Sequence, residues 1–126
     1  MAYLVDTHAL LFFLTGNKAL SPIALKVFED KKELSVSIVS FWEIAIKQSL
    51  GKLDLTITIK ELEALAKKNK IETLEIKTTD IETISQLEHY HRDPFDRMLI
   101  AQAINNELTL VSKDKLISKY PVKTLW

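Results

Sequence analysis

AYLVDTHALLFFLT, residues 2–15, sets the fold class. Its first five residues are a short apolar run closed by a carboxylate, the pattern of a parallel strand buried on both faces. THALLFFLT then has helical length, and Gly16 with Asn17 supplies a stop. Residues 10–14 are apolar on every side, so this helix is either fully buried or turned towards a partner, because a surface helix would carry a polar stripe.

The alternation continues outward. Ser21 and Pro22 make an N-cap and first-position pair for a helix to about Glu29, and LSVS at 34–37 is the second strand. Ser40 and Glu43 have capping-box spacing for the helix SFWEIAIKQSL, which stops at Gly51. Thr58 and Glu61 repeat the spacing before KELEALAKKNK, as do Thr79 and Glu82 before IETISQLE, with a strand at 72–76 between them. In HRDPFDRMLIAQA, residues 91–103, Asp93 is the N-cap, Pro94 the first helical residue and Asp96 the third position of the first turn. LTLVS at 108–112 and residues 122–125 complete about five short strands. The expected fold is α/β, with a central, mainly parallel sheet of about five strands flanked by helices, in one domain over 1–126.

Composition narrows the function classes. The 126 residues are 47% hydrophobic and 27% charged, as in ordinary globular chains. No apolar run has the length of a membrane span and no signal-peptide pattern is present, so no membrane association is expected. The absence of cysteine excludes disulfides and thiolate metal sites and suits a cytoplasmic protein. Seventeen basic residues balance seventeen acidic ones, so any nucleic-acid contact must be a local patch rather than a general basic coat.

The carboxylates fall in a pattern. Asp6 ends the first strand, Glu43 lies in the first turn of the helix after the second, Asp93 and Asp96 open the long helix, and Asp114 follows LTLVS. In an open parallel sheet the carboxyl ends of strands and the starts of the following helices share one edge, where ligands bind. Acids converging there repel unless their pKa values rise, a basic side chain joins them, or a divalent cation sits among them. Oxygen donors without cysteine favour a hard ion such as magnesium or manganese, which can activate water against a phosphodiester. Each acid also has a plainer reading. Asp93 is a cap, Glu43 fits a capping box, Asp114 lies in a polar SKDK turn, and Asp6 could be a loop acid, although a charge ending a buried strand is costly without a partner.

At these residues the chain resembles the PIN domains, specifically the VapC-type toxins of toxin–antitoxin systems. The matching segments are LVDTHALLFFL (4–14), SIVSFWEIAIKQSLGKL (37–53), HRDPFDRMLIAQA (91–103) and LTLVSKD (108–114), and together they span essentially the whole chain. The resemblance implies a ribonuclease using Mg2+ or Mn2+ held by clustered acids. The family's acids fall on Asp6, Glu43 and Asp96, with a fourth, less uniform one on Asp114; these four are the expected catalytic and metal-binding residues. Asp6 and Asp96 would be the direct ligands. Thr7 and Ser112 match small hydroxyl positions beside the site, Ser112 standing where many relatives have Thr. The resemblance also implies an RNA substrate and an antitoxin partner, and a homodimer is expected. The apolar residues 10–14 and the face of residues 42–46 are candidates for those contacts, with core as their plainer reading. Lys47, Lys52, Arg92, Arg97 and Lys113 flank the acids in sequence and are candidate phosphate contacts.

Other readings compete. A catalytically silent PIN-like module that binds RNA or protein would have been free to lose its acids. A phosphoaspartate enzyme of the haloacid-dehalogenase type wants a second Asp where this chain has His8, and a response-regulator receiver wants paired acids before Asp6. His89, His91 and Asp93 have spacing compatible with zinc on an extended segment, though only His8 remains to complete such a site.

Overall fold

A computed structural model of the protein describes residues 2–30 and 32–126. β1 (Ala2–Val5) leads into α1 (Thr7–Thr15) and α2 (Pro22–Glu29), and β2 (Glu33–Ser37) into α3 (Ile38–Ser49) and α4 (Ile59–Lys68). β3 (Ile71–Leu74) precedes α5 (Thr78–Gln86) and α6 (Pro94–Asn105); then come β4 (Thr109–Val111), a short 3-10 turn (Ile117–Lys119) and β5 (Thr124–Leu125). The strands form one sheet in the order β3-β2-β1-β4-β5, with every pairing parallel. This is the α/β architecture expected from the sequence.

Adjacent residues on the central strands serve opposite faces. Leu4 and Leu110 pack with Met98, Leu99 and Ile100 of α6, whereas Val5 and Val111 pack with Leu10 of α1, Phe28 of α2 and Ile44 of α3. Helices therefore cover both faces, and strands buried on both sides can afford no polar alternation. Residues 97–103 of α6 are all buried. The apolar block of α1 is mostly core, with Leu10 fully buried and Leu11, Phe12, Phe13 and Leu14 packed against the same cluster.

Local chemistry sets the helix ends. Gly16, at φ 66°, ends α1 with its N–H on the Phe12 and Phe13 carbonyls, a left-handed conformation that glycine adopts without a Cβ penalty. Ser21 Oγ accepts from Ala24 N at 3.1 Å, and Thr58 with Glu61 forms the expected reciprocal box. Two expected boxes do not form. α3 starts two residues before Ser40, with Ser37 as its cap, Oγ accepting from Val39 N at 3.1 Å, so Ser40 and Glu43 lie within the helix and are buried. At α5 it is Asp80, not Glu82, that reaches back, accepting from Lys77 N at 2.9 Å.

A further correction concerns Arg97, expected as a phosphate contact. It is buried, and Nη1 donates to the carbonyls of Glu88 (2.9 Å) and His91 (3.2 Å) while Nη2 donates to those of Ile84 (3.0 Å) and Leu87 (3.4 Å). Ile84 and Leu87 lie at the C-terminal end of α5, where carbonyls lack helical partners and the helix dipole is negative. The guanidinium thus caps α5 and ties down the irregular segment leading to α6. Arg97→Met, which keeps the apolar stem but strands those acceptors, is expected to lower the unfolding free energy in urea by about 3 kcal/mol; a loss within experimental error would remove this role.

Candidate active site

β1 is the pivot of the sheet. Its successors β2 and β3 lie on one side and β4 and β5 on the other, so the connections leaving β1 and β4 diverge and open a crevice at their carboxyl ends. The backbone bond from Asp6 N to Val111 O, 3.0 Å, carries the β1–β4 ladder one residue beyond β1 and fixes Asp6 at the crevice floor. The crevice, about 410 Å³, is lined by Asp6, His8, Asp96, Lys113, Asp114 and Lys115.

Three of the four acids expected from the sequence line this space, each brought by a different element. Asp6 is nearly buried and also N-caps α1, with Oδ1 accepting from Ala9 N at 2.8 Å. Burial raises its pKa; a hydrogen bond from Ser112, the Ala9 N–H and the neighbouring His8 counter that rise in part, and Glu43 adds to it. Asp96 enters from the first turn of α6. Burial and then the adjacent Asp93 push it up to about 7, against His91, with Glu43 and Asp6 raising it further. Asp93 is the cap of α6, its Oδ1 accepting from Phe95 N at 2.8 Å and Asp96 N at 3.4 Å, while Asp96 lines the crevice.

Asp114 is tied by its own turn. Its N–H donates to Ser112 Oγ at 3.1 Å and its Oδ1 accepts from Leu116 N at 2.9 Å. Glu43, the fourth expected acid, is not among the lining residues. Its Oε2 pairs with Lys47 Nζ at 2.9 Å, and Thr7 Oγ1 lies 2.7 Å from Oε1 and 2.9 Å from Ser40 Oγ. A carboxylate only accepts, so the Thr7 proton goes to Glu43 and the Ser40 hydroxyl supplies the other hydrogen. Among the described residues, Lys47 is the one lysine or arginine ion-paired to any of these four acids.

The residue that sequence reasoning misplaced is His91. Its spacing to His89 and Asp93 suits a zinc ion on an extended segment, but the ring of His91 is buried and faces the acids instead. Nε2 lies 2.6 Å from Asp114 Oδ2 and 3.2 Å from Asp96 Oδ2, while His89 is exposed and Asp93 is occupied as a cap. One atom from each of His91, Asp96 and Asp114 lies within 4.8 Å of the others, a spacing a metal ion could span. The only sequence signal was its position two residues before the cap of α6.

An all-parallel sheet with carboxylates gathered at its switch point defines an α/β domain built around an acidic crevice. The PIN domain family model matches residues 3–123, and the chain belongs to that family. It is 29% identical to Ribonuclease VapC22 of Mycobacterium tuberculosis (strain ATCC 25618 / H37Rv) over 129 residues, covering 98% of this chain and 97% of that one. Its fold is similar to a chain in the crystal structure of VapBC2 from Rickettsia felis bound to a DNA fragment from their promoter (TM-score 0.72, 12% identity, 99% of this chain and 98% of the other). It is similar also to one in a toxin–antitoxin complex from Klebsiella pneumoniae (TM-score 0.67, 15% identity, 99% and 97%).

The raised carboxyls predict a pH dependence. A carboxyl whose pKa is higher in the folded state than in the unfolded chain binds more protons when folded, so its stabilisation is complete below the unfolded value near 4 and is lost as pH rises through the folded one. With Asp96 at about 7 and Asp6 shifted the same way, the metal-free protein is expected to lose several degrees of Tm between about pH 4 and pH 7. Asp96→Asn should flatten much of that slope in thermal melts with EDTA; an unchanged slope would contradict the assignment.

Proposed function

We propose that the protein is a divalent-metal-dependent endoribonuclease, the toxin of a toxin–antitoxin pair. The observation that carries this reading is the convergence of Asp6, Asp96 and Asp114 on one open crevice at the switch point of the sheet. The donor chemistry supports a metal. The set is rich in hard oxygen, and the chain's own cations leave Asp96 raised to about 7 by burial and neighbouring negative charge. On this reading Asp6, Glu43, Asp96 and Asp114 are the metal-binding and catalytic residues, with Asp6 and Asp96 as direct ligands and Glu43 and Asp114 acting through water or orienting the nucleophile. Mg2+ or Mn2+ bound there supplies a Lewis acid and lowers the pKa of a bound water.

The chain's own side chains do the rest. The hydrogen bond from Ser112 and the Ala9 N–H hold Asp6, and Thr7 and Lys47 hold Glu43 in a fixed, charged arrangement. Lys113 and Lys115 on the rim offer positive charge to an RNA backbone, and Lys52 and Arg92 are exposed and available as further phosphate contacts. Hydrolysis would leave a 5′-phosphate and a 3′-hydroxyl. No described helix is long and apolar enough to cross a membrane, and the reading places the reaction in the cytoplasm. An antitoxin covering the crevice is the expected partner, alongside a homodimer; Trp42, 60% exposed and edge-on to Phe95, is the part of the 42–46 face left open for such contacts.

Asp6→Asn and Asp96→Asn are each expected to slow RNA cleavage by about 100-fold or more, the equivalent of several kcal/mol of lost transition-state stabilisation. EDTA should stop the wild-type reaction and Mn2+ restore it. Full cleavage by both variants, or cleavage indifferent to EDTA, would sink the nuclease assignment. Light scattering on the purified chain is expected to give a dimer mass, and a monomer would remove the homodimer.

A further inference from the structure

His91 has every polar atom engaged. Its backbone N–H donates to Tyr120 Oη at 2.9 Å and its carbonyl accepts from Arg97 Nη1 at 3.2 Å. Tyr120 Oη in turn donates to Glu88 O at 2.7 Å, closing a clamp around the segment before α6. The ring is fixed from the other side, because the Asp93 N–H donates to Nδ1 at 3.2 Å. A backbone amide can only donate, so Nδ1 carries a lone pair there and the ring proton sits on Nε2. Nε2 therefore offers no lone pair towards the crevice. Its hydrogen is directed at Asp114 Oδ2, 2.6 Å away, with Asp96 Oδ2 as the longer contact at 3.2 Å.

We infer that His91 is a positioning residue of the acidic site and not a metal ligand: its Nε2–H holds Asp114 towards Asp96, and its own orientation is fixed by the Asp93 amide and the Arg97–Tyr120 clamp. Asp114 stands on a turn with its side chain about a third exposed. Two carboxylates brought together would drive the more exposed one outward, and a hydrogen placed between them opposes that repulsion. Groups that orient ligands in this way are typically worth roughly 10- to 100-fold in metal affinity or activity.

The inference rests on the nuclease reading for its consequence, but its first test does not. In the metal-free protein, ring 15N shifts of His91 are expected to report a proton on Nε2 and an acceptor at Nδ1; a proton on Nδ1 overturns the inference. In the Mn2+-loaded protein labelled with 15N-histidine, pulsed EPR is expected to show no directly coordinated imidazole nitrogen, and such a coupling from His91 overturns it too. The third test compares two variants that both lose the Nδ1 contact. His91→Gln can return an N–H donor to Asp114, whereas His91→Leu cannot. The Leu variant is expected to lose roughly 10- to 100-fold in kcat and in calorimetric Mn2+ affinity, with KM for RNA unchanged, and the Gln variant to recover most of that. Equal behaviour of the two, whether near wild type or equally impaired, overturns the positioning role. A wild-type protein with the Nε2 proton that neither binds Mn2+ nor cleaves RNA overturns the nuclease reading, and the role of His91 towards an ion with it.

Discussion

The parallel pairing of β1 with β4 is the constraint on which the rest of the structure depends. β1 has a strand on each side, in register with β2 from Ala2 against Glu33 and with β4 from Tyr3 against Thr109. Because the chain leaves these neighbours in opposite directions, the seam ends in a crevice instead of a covered loop. The Asp6 N–H on Val111 O then sets how far Asp6 stands from Ser112, which bonds it, and from Asp114 two residues beyond. Two of the crevice acids thus inherit their separation from sheet hydrogen bonding, a far stiffer ruler than a loop.

Asp96 is positioned by different means, at a cost. Pro94 and the Asp93 cap start α6 so that its third residue faces the crevice, yet the capping carboxylate is also the largest charge raising the Asp96 pKa. The fold holds an acid beside an acid because the cap needs one and the crevice needs the other. Arg97, the next residue, turns away from the crevice and is spent on backbone carbonyls. One helical step thereby separates a group that lines the crevice from one wholly given to structure, as successive helical residues point about 100° apart.

Much of this was legible in the sequence, for physical reasons. Strands such as 2–5 and 109–111 lie between two layers of helices and so read as largely apolar runs, and Thr58 with Glu61 caps its helix because nothing competes with it. Ser40 and Glu43 have the same spacing, but Ser37 was an equally good cap nearer the end of β2, and burial drew the later pair into a network with Thr7. Spacing registers only the local half of such a choice. The acids at 6, 96 and 114 could be placed because the ends of strands and starts of helices follow from topology. His91 and Arg97 could not: apart from the two acids that the His91 ring faces, their partners are backbone carbonyls, an amide and Tyr120 across the fold, and no residue pattern encodes a bond to a carbonyl. Arg97 read from its charge alone was therefore assigned to solvent and phosphate.

The order of the strands has a consequence for the chain during its synthesis. Asp6 is made more than a hundred residues before Val111, to which its N–H donates, and Ser112, which donates to its side chain. Until β4 docks, β1 has one bare edge, the crevice has one wall, and Asp114 has not joined the other acids. A nascent chain thus has an incomplete crevice until β4 has been made, and the site closes in one step, when the least local strand pairing of the sheet forms.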